Sequence, residues 1–138
     1  MDSNTLSKKV MWAGIILILL TGLIHVIDAP SSFGDATYKG LLFVANALGA
    51  LVSAVGIYRG SRSWGWGLGL LVAGGAFVMY IISRTVGLPG LEPDVWLEPL
   101  GIASLIVEAL FVGLTLWAMA RRTTTPVVQR NVSREGGV

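Results

Sequence analysis

The sequence predicts an all-α integral membrane protein, an antiparallel bundle of four transmembrane helices. Hydrophobic residues make up 54% of the 138-residue chain and charged residues only 13%, whereas soluble domains carry about 25% charged residues. The apolar residues are concentrated in four runs, and each run could cross a hydrocarbon core of about 30 Å at about 1.5 Å per residue. The absence of cysteine excludes disulfides, thiol redox chemistry and thiolate-bound metals.

The first predicted span follows a polar segment, residues 1–9, that ends in two lysines. A signal peptide also begins with basic residues and an apolar core. Pro30 directly after Ala29 is, however, a poor cleavage context, and the apolar run is longer than a usual signal core. A retained first helix is therefore predicted, and the four spans cover residues 10–28, 40–58, 64–83 and 99–120.

The segments between the spans carry the residues of turns and loops. Residues 30–39 contain Pro, Ser, Gly and Asp, residues 84–98 are rich in Pro and Gly, and residues 59–62 read as a tight basic turn. The polar tail from residue 121 to 138 is predicted to be disordered. No span contains an internal proline, so each is predicted to be one continuous helix.

The distribution of Lys and Arg predicts that both termini are cytoplasmic, in a bacterial or archaeal inner membrane. Basic residues near the cytoplasmic ends of spans set orientation. Lys39 and Arg84 fall on the other side, together with most of the acidic residues. The basic pI of about 9.3 is explained by these flanking residues and by anionic headgroups, so no nucleic-acid partner is predicted. The eight residues on the cytoplasmic side are Lys8, Lys9, Arg59, Arg62, Arg121, Arg122, Arg130 and Arg134.

Each span has one stripe of small or polar residues at helical spacing, which predicts that the four stripes face one another. Measured from the outer ends, His25 and Tyr80 would lie about 5 Å deep, Asn46 about 10 Å and Glu108 about 15 Å. This predicts a polar cavity that is open outward and closed inward. Its candidate binding or proton-relay residues are Glu108, His25, Asp28, Asn46, Tyr80, Arg84, Ser104 and Glu98.

Glu108 is the residue that most strongly suggests a function. A charged side chain near the middle of a span costs about 2.5–3.5 kcal/mol on insertion scales, so Glu108 should face protein or a water-filled cavity. Desolvation disfavours the charged carboxylate, which predicts a group able to exchange a proton for a cation. His25 belongs to the residue type that exchanges protons near neutral pH and could relay protons to the surface. The favoured function is binding or transport of a proton, a cation or a small cationic solute.

Two alternatives stay open. The first is an accessory or structural membrane subunit, in which Asn46 and Ser104 only bond neighbouring helices while Gly65, Gly69 and Ala73 only let helices approach closely. The second is a membrane enzyme or a metal-binding protein.

The motifs needed for that second alternative are weak. The sequence has no GxSxG, HExxH or phosphate-binding glycine loop. His25, Asp28 and Glu98 are weak candidates as metal ligands, and haem would need a second histidine, so no cofactor is predicted. The expected partners are the lipid bilayer, a proton or small cation, and a second copy of the chain or a larger membrane complex.

In size and number of spans the chain resembles the small multidrug-resistance transporters, which use a membrane-embedded glutamate. Their glutamate lies in the first helix, where this sequence has His25 and Asp28, so the resemblance carries no residue across. The segments Ser83–Thr85, Gly87–Gly90 and Glu98–Gly101 are similar to stretches of small actinobacterial membrane proteins, a similarity that implies no activity.

Overall fold

The structure, a computed structural model, describes residues 3–122 and is built from four long helices. They are α1 (Ser3–Asp35), α2 (Thr37–Tyr58), α3 (Leu68–Thr85) and α4 (Pro99–Arg122), and a π-helical segment, Arg62–Gly67, leads directly into α3. When the π-helical segment is counted with α3, all four are long and apolar enough to cross a membrane. The all-α class and the four apolar helices are thus confirmed. The disordered tail was predicted from residue 121, but α4 continues to Arg122. The rest of the predicted tail lies outside the described residues.

The predicted loop at residues 30–39 is wrong, because α1 continues through Pro30 to Asp35. Only Ala36, in an extended conformation with φ −162° and ψ 140°, separates α1 from α2. The Ala36 N–H donates to Ser32 O at 3.1 Å, so the hydrogen bonding of the helix runs up to the corner. Ser32 is buried. Packing of this last part of α1 outweighs the turn-forming composition of the segment.

The backbones of α2 and the π-helical segment approach each other closely at Gly56 and Gly65. A Cβ atom on Gly56 would lie 2.6 Å from the Gly65 nitrogen, and one on Gly65 would lie 2.6 Å from the Ile57 nitrogen. Buried Ser53 adds a hydrogen bond from its Oγ to Gly65 O at 2.8 Å. The small residue predicted to allow close helix contact at position 65 does so here.

The hydrophobic core occupies one half of the bundle. Phe111 of α4 is fully buried and stacks on Trp66 with ring centroids 5.9 Å apart. A Cβ on Gly69 would collide with Phe111, so this glycine makes room for the ring. The other buried members of the core are Ile15, Ile18, Ala50, Ala54, Ile57 and Ala73.

The surface of the bundle that faces away from its interior is apolar. Leu23, Leu48, Leu71 and Leu110, one on each of the four helices, are all more than half exposed. Apolar exposure on this scale is unusual for a water-soluble monomer and suits contact with lipid. The polar side chains are turned inward, where they meet in the half of the bundle that the core leaves open.

Candidate functional site

All eight candidate side chains line one cavity of about 800 Å³. Small-molecule sites commonly enclose about 300–1,000 Å³. The wall of this polar cavity is formed by all four helices and by the 86–98 loop. We call the part lined by Asp28, Arg84 and Glu98 the mouth. The part lined by His25, Asn46, Ser104 and Glu108 is the deep end.

Glu108 is the most deeply buried charged-type residue of the cavity, with 1% of its surface exposed. Ser104, one turn earlier on α4, donates its hydroxyl to Glu108 Oε1 at 2.5 Å. Glu108 Oε2 is buried and has no hydrogen-bond partner among the described residues. A buried acceptor without a partner costs about 1–3 kcal/mol, so a ligand that donates to Oε2 would gain from that bond.

His25 presents a second acceptor to the deep end. Its Nδ1 lies 2.9 Å from the Thr21 carbonyl oxygen, and a carbonyl can only accept, so Nδ1 carries the ring proton. In the neutral ring, Nε2 is then an acceptor. It lies 3.9 Å from Glu108 Oε1, which is too long for a hydrogen bond. The Phe43 ring, with its centroid 4.9 Å from that of His25, packs against the imidazole.

Asn46 contributes a third acceptor. Its Nδ2 donates across to the carbonyl of Val72 on α3 at 3.1 Å. This bond fixes the amide so that Oδ1 is left buried without a partner among the described residues. The deep end therefore has three acceptors, and no Lys or Arg of the described chain forms an ion pair with Glu108.

The mouth is built around Arg84. Its Nη2 lies 3.1 Å from Glu98 Oε2, and its Nε donates to Val95 O at 3.2 Å. The guanidinium carbon lies 3.8 Å from the centroid of the Tyr80 ring. The Tyr80 hydroxyl donates to Trp96 O at 2.9 Å, so two α3 side chains hold the 86–98 loop over the cavity. Asp28 also lines the mouth, and its side chain forms no hydrogen bond or ion pair with the described residues.

A second cation at the mouth was missed in the sequence. Lys39 Nζ lies 2.6 Å from Asp35 Oδ2 and 3.4 Å from Asp94 Oδ2. The i, i+4 spacing of Asp35 and Lys39 is a usable signal on a helix, but the composition of residues 30–39 predicts a loop. Asp94 is placed by its N–H, which donates to Ser83 O at 2.9 Å. No sequence pattern indicates that contact.

The structure does not support the metal site suggested for His25, Asp28 and Glu98. Among the described residues, no three His, Cys, Asp or Glu side chains lie close enough together to hold one ion. His25 belongs to the deep end with Glu108, while Glu98 is engaged by Arg84 at the mouth. The ligands are therefore divided between two places in the cavity.

Replacing Arg84 with Met should release the 86–98 loop while the four helices persist. The substitution removes the Glu98 ion pair, the bond to Val95 O and the stacking on Tyr80, and hydrogen bonds to charged groups contribute about 1.5–3 kcal/mol. Hydrogen exchange of the loop amides should accelerate at least about tenfold. Arg59→Met, at an exposed arginine outside the cavity, is the matched control. Equal loop exchange in both variants would contradict the assignment.

Comparison of the chain with protein-family models, curated proteins and solved structures finds no match.

Proposed function

We propose that this protein is a multi-pass membrane protein whose polar cavity binds a proton, a cation or a small cationic solute. The observation that carries the proposal is the buried Oε2 atom of Glu108, which has no partner among the described residues. A carboxyl group in an apolar bundle is costly. A cavity that leads to it allows a ligand to supply the missing charge or hydrogen bond.

The charges around the cavity favour a cationic ligand. Arg84 and Lys39 are both engaged by carboxylates at the mouth, so neither is available to Glu108 at the deep end. With Ser104 donating to Glu108 and Asn46 Nδ2 donating to Val72, the deep end offers acceptors on Glu108, His25 and Asn46. A cation with N–H donors matches both the charge and the hydrogen-bonding character of this surface.

The proposed orientation is an antiparallel bundle with both termini in the cytoplasm of a bacterial or archaeal cell, so that the mouth faces outward. The excess of Lys and Arg beside residues 1–9, 59–62 and 121–134 supports it. The acidic residues of the mouth, Asp28, Asp35, Asp94 and Glu98, then lie on the outer side. Such a rim raises the local concentration of cations.

A second candidate is an accessory subunit whose polar groups only hold helices together. Two bonds favour it: Asn46 Nδ2 to Val72 O at 3.1 Å and Ser53 Oγ to Gly65 O at 2.8 Å. Both are direct links between elements of the bundle. The acceptor atoms Glu108 Oε2 and Asn46 Oδ1 are the part of the site that this candidate leaves unexplained.

The test is an infrared titration of the purified protein in lipid, with Glu108→Gln subtracted to isolate the Glu108 carboxyl band. We expect a protonated-carboxyl band that disappears as pH rises and that shifts when methylammonium is added. A carboxylate that stays ionised between about pH 5 and 9 and ignores methylammonium, Na⁺ and K⁺ would instead indicate a fixed internal group. The accessory-subunit candidate would then be preferred.

A further inference from the structure

The wall of the polar cavity continues onto the outer apolar surface between α2 and α3. Leu42 of α2 and Leu71 and Met79 of α3 line the cavity, yet they are 51%, 72% and 40% exposed. A side chain that lines a cavity and is also exposed on the outer surface lies at the edge of an opening between the two. In the proposed membrane arrangement these residues face hydrocarbon, so the opening connects the cavity with the lipid.

The opening is sparsely filled. The bond between Asn46 Nδ2 and Val72 O crosses from α2 to α3 beside it. Gly75 of α3 lines the cavity, and a Cβ atom built there would meet nothing within 4 Å. The helices therefore leave a gap that is polar at its deep end and apolar at its edge.

We propose, building on the proposed function, that the ligand is a lipid-soluble primary amine that enters sideways from the bilayer between α2 and α3. Its ammonium group binds at Glu108, Asn46 and His25. Its hydrocarbon part occupies the opening beside Leu42, Leu71 and Gly75.

The number of hydrogen-bond acceptors in the deep end favours a primary ammonium group. Glu108 Oε2, Asn46 Oδ1 and His25 Nε2 are three acceptors, and an –NH₃⁺ group has three donors. Two of these atoms, Glu108 Oε2 and Asn46 Oδ1, are buried without partners among the described residues. A quaternary ammonium carries the same charge but no donor, so it would leave both unsatisfied. The cavity of about 800 Å³ has room for a hydrocarbon chain as well.

The test compares three cations on the full chain in lipid nanodiscs, with binding to empty nanodiscs subtracted. The probes are n-octylamine, octyltrimethylammonium and methylamine. We expect octylamine to bind at least about tenfold more tightly than octyltrimethylammonium, because the loss of one hydrogen bond to a charged group alone accounts for that factor. We expect methylamine to bind at least about tenfold more weakly than octylamine, since it lacks the CH₂ groups whose burial favours binding.

Paired glycine variants test the sideways route. Gly75→Leu places a side chain in the opening and should lower the affinity for octylamine at least about tenfold, with little effect on methylamine. Gly74→Leu is the control, because a Cβ at Gly74 also meets nothing within 4 Å but Gly74 does not line the cavity. Circular dichroism of both variants verifies that the helices form.

The outcomes separate this inference from the proposed function. If octyltrimethylammonium binds as tightly as octylamine, the match of three donors to three acceptors is wrong. If methylamine binds as tightly as octylamine, or Gly75→Leu and Gly74→Leu behave alike, the lateral hydrocarbon site is wrong while cation binding stands. If no cation binds and the Glu108 band does not respond to pH, both proposals fail.

Discussion

Glu108→Gln is expected to weaken octylamine and methylamine binding by about a hundredfold or more while the bundle stays folded. The substitution keeps the size of the side chain and an oxygen that can accept from Ser104. It removes the negative charge that compensates a bound ammonium group. Loss of one partner of a buried charge pair costs about 3–5 kcal/mol, and about 2.7 kcal/mol already corresponds to a hundredfold change in affinity.

Glu92→Gln provides the matched control for that prediction. Glu92 is exposed on the 86–98 loop and does not line the cavity, so the same chemical change should leave cation affinity within about twofold. Thermal unfolding of both variants, followed by circular dichroism, separates lost binding from lost structure. A folded Glu108→Gln protein that binds both amines as wild type does would refute the central role of Glu108.

Gly56→Ala is expected to destabilise the bundle severely, by about 3 kcal/mol or more. The added Cβ would lie 2.6 Å from the carbonyl carbon and oxygen of Trp64 and from the Gly65 nitrogen. These are backbone atoms, so the strain cannot be relieved by rotating a side chain, and overpacking of this kind costs about 1–3 kcal/mol or more. Loss of helix packing also weakens the Ser53–Gly65 bond. Unfolding in SDS, followed by circular dichroism, measures the change.

Gly74→Ala is the control, because it makes the same substitution in a helix where the new Cβ meets nothing within 4 Å. Ala is favoured over Gly in a helix by about 0.8–1.0 kcal/mol, so this variant should be unchanged or slightly more stable. Similar stabilities for Gly56→Ala and Gly74→Ala would show that the two backbones are free to separate.

The all-α class and the number of long apolar helices could be predicted, because a helix that crosses a membrane needs a long apolar run. The composition between the runs was misleading in one place, residues 30–39, where Pro30 suggested a loop. Whether this segment is helix or loop depends on tertiary packing around Ser32 and on the Asp35–Lys39 pair. Propensity is a weak guide when burial competes with it.

The candidate site could be predicted in part, since helical spacing alone placed polar residues on inward stripes. Spacing does not reveal hydrogen bonds between helices. Asn46 donates its Nδ2 to the Val72 carbonyl and leaves Oδ1 without a partner among the described residues. This arrangement depends on the position of a backbone carbonyl that is distant in the sequence. The tautomer of His25 depends likewise on the Thr21 carbonyl. These hydrogen bonds determine which acceptors the deep end offers, and they can be read only from the three-dimensional structure.

The packed core around Phe111 occupies the part of the bundle that the polar cavity does not reach. Phe111, Ile18 and Ala73 are fully buried beyond Glu108, and Gly56 and Gly65 bring two backbones into contact in the same half. Alternating access would require these surfaces to separate as rigid units. In the proposed membrane arrangement, a chain locked in this conformation is therefore expected to capture a solute from one side without releasing it on the other. Flux assays in liposomes would then show uptake onto the protein but no net translocation.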